Sequence, residues 1–261
     1  MSIRSKILAS ACVLAVSAFA APAFAAGFDG VFSGDYSHID ANGGGGSANS
    51  WGASGGGLFG INPNWAVQVD GGYHNVDASG GGGSINVWNV DGSVQWRGMW
   101  GRLGAVVGYN SSDAGGGGNI DVTNYGGFVD WYAGKAITAT LKAGGFTANA
   151  GLDGTYAGVG ITGYVTPDFA LSATYDYTRL NGLGNENDYG VQAEWLVSET
   201  TPISIYAGYT NSKISGGGPT INIWGGGVKW YVDQAGPVTL VDRQRSGASS
   251  GQAFGPTLLK F

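Results

Sequence analysis

Two histidines are the side chains of this sequence best suited to acid–base chemistry, and their surroundings do not complete a catalytic group. His38-Ile39-Asp40 and His74-Asn75-Val76 lack the serine two positions away that a His-x-Ser pair would supply. His38 also shares strand parity with Phe32 and Tyr36, which reads as a solvated histidine at the edge of a sheet. Gly158-Val159-Gly160-Ile161-Thr162-Gly163 matches the dinucleotide fingerprint, but it lies in an alternating strand pattern with no helix after it, so the phosphate-binding geometry is missing. The runs Gly80 to Gly83 and Gly115 to Gly118 invite comparison with calcium-binding nonapeptides, yet Asn119 and Ile120 put Asp121 out of register and the repeats are not tandem. The only cysteine is Cys12, so the remainder of the chain has no disulfide and no cysteine-ligated metal. No catalytic residue, cofactor or metal is expected.

Charge and composition narrow the classes further. Arg4 and Lys6 precede an apolar run from Ile7 to Ala20 and small residues ending Ala23-Phe24-Ala25, which reads as a secretory signal over residues 1–25. Removing those two cations from the 12 basic residues, against 18 acidic ones, takes the formal net charge from −6 to −8. Such a chain lacks the basic footprint of a nucleic-acid binder. Glycine is abundant at 51 residues, but nine tryptophans in ordered alternation argue against disorder. No later stretch reaches the ~18 consecutive apolar residues of a spanning helix. Membrane embedding, if any, must use strands.

The strand signal is strong. From Val87, one parity reads Trp88, Val90, Gly92, Val94, Trp96 and the other Val87, Asn89, Asp91, Ser93, Gln95, Arg97. One face suits lipid and the other water, and the two tryptophans lie roughly 20 Å apart across a tilted strand, close to the height of a transmembrane apolar band. Glycine-rich or polar loops recur through the chain, with tight turns such as Asn62-Pro63-Asn64 and Thr166-Pro167-Asp168 between them. Strands are expected near 28–39, 48–61, 65–77, 85–97, 100–111, 119–132, 137–148, 153–165, 169–181, 188–198, 203–214 and 220–233. The fold class is all-β: a transmembrane antiparallel up-and-down β-barrel of about 12 strands over residues 26–233. A soluble β-sandwich would carry Lys and Glu on its outer face, where this pattern has none.

Parity then assigns side chains to roles. Trp65, Tyr73, Trp88, Trp96, Trp131, Trp195, Trp224 and Trp230 are expected in aromatic girdles at the membrane interfaces. Asp35, Asp70, Asp91, Asp130, Asp176, Glu194, Arg97, Arg102, Lys142 and Lys229 are expected to line the interior, with an acidic excess that favours cations. Arg97 and Arg102 would form a basic patch beside one turn. The competing reading of these charges is mutual pairing, for example Asp29 with Lys229 across the closing strands. Tyr164, Tyr206 and Tyr231 could instead mark a sugar-stacking track.

With its signal, girdles and hairpin period, the chain resembles the Gram-negative outer-membrane β-barrels, broadly the porin-like group. Barrel phospholipases, lipid A deacylases and omptin-like proteases are similar in architecture, but their histidine motifs are not matched. The resemblance implies location in the bacterial outer membrane, contact with outer-membrane lipid, insertion by the barrel assembly machinery, and short turns facing the periplasm. Family members often end in a strand closing on phenylalanine; Gly227-Val228-Lys229-Trp230-Tyr231-Val232 fits that signal better than the true end at Phe261. Residues 234–261 are then expected to be a tail, periplasmic or lumen-associated, with the periplasmic placement favoured. The function expected is passive diffusion of small hydrophilic solutes with weak cation preference, by a monomer. The alternative is a non-conducting structural or surface-adhesion barrel.

Overall fold

The computed structural model describes residues 28–42, 46–79, 83–113, 118–149, 151–182, 184–197, 202–216, 218–232 and 239–248. The expected signal, Cys12, and residues 234–238 and 249–261 of the expected tail lie outside these. The strands are β1 (Phe28–Asn42), β2 (Gly46–Gly60), β3 (Trp65–Ala78), β4 (Ser84–Gly98), β5 (Gly101–Asp113) and β6 (Asn119–Ala133). They continue as β7 (Ile137–Ala148), β8 (Asp153–Thr166), β9 (Phe169–Leu180), β10 (Gly184–Leu196), β11 (Ile203–Ile214) and β12 (Thr220–Val232), followed by one helix, α1 (Leu240–Ser246). Each strand pairs antiparallel with its sequence neighbours, and β1 pairs with β12 to close the barrel.

Several strands run past the ends that the apolar pattern marks. β1 continues to Asn42 and β10 begins at Gly184, because the ladder is set by a partner's backbone and continues through residues with no apolar side chain: Asn42 pairs Thr220, and Gly184 pairs Leu180. At one end of the barrel the connections are tight. There the Asn62 side-chain oxygen accepts from the backbone N–H groups of Asn64 and Trp65, each at 2.9 Å. The other end is the loop end, where Gly83 and Gly118 lead into β4 and β6 and Gly216 follows β11, all three at a positive φ of 89°.

Polarity is inverted relative to a soluble protein. Val107, Leu141, Val159, Val191 and Val228 are exposed on the outer wall, while Gln95, Asn124, Asp130, Glu186 and Glu194 are buried inside. A water-facing sandwich cannot afford that outer surface, whereas lipid matches it.

The helix sits inside the tight-turn mouth. Thr239 caps it, its hydroxyl accepting from the Asp242 N–H at 3.3 Å. Helices this short are marginal alone, and α1 is held by the barrel wall: Leu240 and Ala248 join Val31, Leu58, Ala66, Ala170, Leu196 and Tyr231 in one buried apolar cluster.

Candidate functional site: the barrel lumen

The interior is organised by ion pairs that reach across strands. Arg102 on β5 stands beside Asp130 on β6 in register and bonds it directly, and the Thr140 hydroxyl donates to the other Asp130 oxygen at 2.6 Å. Lys142 on β7 reaches Asp176 on β9 at 3.0 Å, passing over Gly158 of the intervening β8. A Cβ built on Gly158 would lie 1.9 Å from the Asp176 carboxylate and 2.6 Å from Lys142 Cε, so the glycine is what makes room for the bridge. Lys229 on β12 likewise donates to Glu194 on β10 at 2.6 Å across β11. Ser204 and Tyr231 also donate to Glu194, at 2.7 and 2.6 Å, and the Tyr206 ring lies 4.8 Å from the Lys229 ammonium. Charges withdrawn from water persist when paired and hydrogen-bonded in this way.

Six of the ten charged residues assigned to the interior are thus engaged in three pairs. Asp35 meets His74 at 3.5 Å over Gly52, which gives the second histidine an interior position not foreseen from its motif. Asp70 accepts from Gln68 at 2.8 and 2.9 Å, and Asp91, its register partner, accepts from Asn89 at 3.1 Å and Asn124 at 3.4 Å. Arg97 is opposite Arg102 in register but turns to the Ser246 carbonyl at the C-terminal end of α1. Mutual pairing of interior charges does occur, but not between Asp29 and Lys229. Lys229 is level with Ser33, four residues along β1 from Asp29, which is roughly 13 Å of strand.

The lumen is unevenly filled. On β5 to β9, Val106, Val122, Phe128, Phe146, Tyr156 and Leu180 form an inward apolar cluster. The interior assigned by parity above includes none of these residues. The available signal was a bulky residue of inner parity beside glycine on a neighbouring strand: Cβ atoms on Gly104 and Gly154 would meet the Phe128 and Phe146 rings at 2.7 and 2.6 Å. Against the remaining wall lies a cavity of about 520 Å³, lined by Thr138, Thr140, Thr162, Ser172, Thr174, Gln192 and Tyr206 together with the Arg102–Asp130 and Lys229–Glu194 pairs. Tyr164 and Tyr231 also border it, but their rings are covered by Arg245 and Arg243, at 5.2 and 5.4 Å.

Outside, Trp65, Trp131, Trp195 and Trp230 are exposed toward the tight-turn end, and Trp96 packs on Trp100. Trp224 and Tyr73 are exposed toward the loop end, where Trp88 packs on Tyr109. Here a further repeat emerges: Tyr36, Tyr73, Tyr175 and Tyr209 donate to Asn49, Asn86, Asn187 and Asn222 at 2.5 to 2.9 Å, each across one hairpin. The recurring spacing of 12 or 13 residues between tyrosine and asparagine was its sequence signal. His38 joins this rim, 2.8 Å from the Asn49 side chain and 3.4 Å from Asp40.

No family model and no curated protein matches the chain. Solved structures do resemble it in fold. The COG4313 outer membrane channel from Pseudomonas putida aligns with a TM-score of 0.59 at 12% identity, over 79% of this chain and 96% of that one. The KdgM porin aligns with a TM-score of 0.54 at 12% identity, over 76% and 98%. The translocator domain of the autotransporter NalP from Neisseria meningitidis gives 0.51 at 13%, over 85% and 97%. In architecture, the chain is a closed twelve-strand β-barrel of the outer-membrane type.

Proposed function

We propose that this protein is an outer-membrane, porin-like channel for passive diffusion of small hydrophilic solutes, with a weak preference for cations. The observation that carries this reading is a cavity bordered by hydroxyl, amide and charged side chains inside a closed barrel whose outer wall is apolar. Likeness in fold to a porin and to an outer membrane channel supports it. The cation preference follows from charge bookkeeping along the lumen. Of the ten charged residues assigned to the interior, six are acidic and four are basic, and an acidic excess in a confined lumen favours cations.

The test is single-channel recording from the chain beginning at residue 26, refolded into a planar bilayer under a salt gradient. Discrete openings whose reversal potential reports cation flow are expected, with the preference reduced in Asp70→Asn. Openings with no charge preference in either protein would overturn the acidic-lumen argument. A silent membrane from a correctly folded barrel, with its C-terminal segment removed as described below, would overturn the channel reading itself.

A further inference from the structure

We propose that residues 239–248 are the barrel's own plug, closing the tight-turn mouth of the lumen, and that solute crosses only when this segment withdraws. The inference rests on the channel reading above and adds the means by which the channel is shut.

The mouth is lined by a collar of apolar side chains. Val31, Leu58, Ala66, Ala170 and Leu196 all have interior parity on β1, β2, β3, β9 and β10, and all are nearly inaccessible. An aqueous mouth lined by such a collar would hold apolar surface against water; here the collar is covered by Leu240 and Ala248 of the same chain. The occupant is therefore identified by the contacts themselves.

The segment is latched to the barrel by hydrogen bonds. Arg245 donates to the backbone oxygens of Gly134 and Ile137 at 2.5 and 2.7 Å and to the Thr138 hydroxyl at 3.1 Å, with its guanidinium 4.6 Å from the Tyr132 ring. Gln244 donates to Glu194 at 3.2 Å and accepts from the Tyr164 hydroxyl at 2.9 Å. The Val241 N–H donates to the Pro167 carbonyl at 3.2 Å, and Arg97 donates to the Ser246 carbonyl. These bonds join the segment to opposite sides of the mouth, and most end on main-chain oxygens or hydroxyls that water can serve when the segment leaves.

Twelve strands about 4.8 Å apart and tilted near 40° close on a backbone radius of roughly 12 Å, leaving a clear width of roughly 12–14 Å inside the side chains. One helix with its side chains is about 10–12 Å across, enough to fill that opening. Gln244 and Ala248 form part of the boundary of the cavity, placing the segment between that cavity and the tight-turn end.

The experiment compares four forms of the chain beginning at residue 26 in planar bilayers: unaltered, lacking residues 239–261, Arg245→Ala, and the double variant Pro167→Cys with Val241→Cys. The 3.2 Å backbone bond between positions 167 and 241 places their Cα atoms roughly 5–6 Å apart, within the span of a disulfide. No other cysteine is present in this stretch. The unaltered barrel is expected to be mostly closed with brief openings. The truncated form should conduct steadily, about threefold or more above the unaltered time-averaged current, as expected when a helix-wide obstruction leaves a mouth of similar width. Arg245→Ala should open more often, and the oxidised double variant should stay shut until a reductant is added. Equal conductance in the unaltered, truncated and oxidised forms would overturn the plug while leaving the channel intact. Silence in the folded truncated barrel would overturn the channel reading and the plug with it.

Discussion

The two ends of the barrel are built from the same twelve strands and are opposite in character. At the tight-turn end the interior narrows to an apolar collar filled by Leu240 and Ala248, and Arg245 ties the filling to the β6–β7 turn. Beyond the collar, the wall beside the cavity carries Ser172, Thr174 and Thr210, and the outer rim at the loop end is a series of tyrosine–asparagine bonds. Parity along a strand fixes which way a side chain points; what changes along the strand is what it meets. A lumen can therefore be wet over one part of its length and packed like a protein core over another.

The contrast can be broken in graded steps. The largest loss of stability is expected from Glu194→Gln, which leaves the buried Lys229 ammonium without its carboxylate at the boundary between plug and cavity. Removing one partner of a buried pair costs about 3–5 kcal/mol, read as a lower urea midpoint of the folded barrel in lipid vesicles. Leu240→Ala comes next. Truncating a packed leucine costs about 2–5 kcal/mol at the site, but here it should loosen the plug alone, raising open probability while the barrel's urea midpoint moves little. A fall in the midpoint without any change in opening would assign Leu240 to the barrel's core instead.

Gly158→Ala sharpens the account of the open wall. The added methyl intrudes between Lys142 and Asp176, and overpacking of this kind costs about 1–3 kcal/mol. Gly160→Ala, on the same strand and face with its nearest neighbour at 3.6 Å, is the control and should change stability by no more than about 0.5 kcal/mol. Equal effects at the two positions would contradict the role given to the crossing ion pair. The smallest effect is expected at the rim. Tyr209→Phe removes the bond to Asn222 and should cost about 1 kcal/mol or less, with no change in conductance.

Much of this architecture was legible in the residues. Alternation from Val87 to Arg97 defines a two-faced strand without reference to any partner, and turn residues such as Asn62 act locally. The partners of interior charges were not legible, because parity gives a face and not a height. Lys229 meets Glu194, two strands away, through the relative registers of β10, β11 and β12, and Asp29 is displaced along β1 by the same geometry. The start of the helix did leave a sequence trace: Thr239-Leu240-Val241-Asp242 follows the S/T-x-x-acid capping pattern. Its docking place left none. Val31, Leu58, Ala66, Ala170 and Leu196 are far apart along the chain and become a collar only when the barrel closes.

With the segment acting as a plug, the lumen is accessible to water beside the cavity and sealed where the C-terminal segment sits. Single cysteines at Thr174, exposed on the cavity wall, and at Leu58, buried in the collar, report the two regions. The folded barrel in detergent would be treated with a charged maleimide and the modification rates compared. Thr174→Cys should react about tenfold faster or more than Leu58→Cys, following thiol exposure, and removal of residues 239–261 should bring the collar cysteine up to the same rate. Equal rates in the intact chain, or a collar cysteine still protected after the segment is gone, would contradict the account.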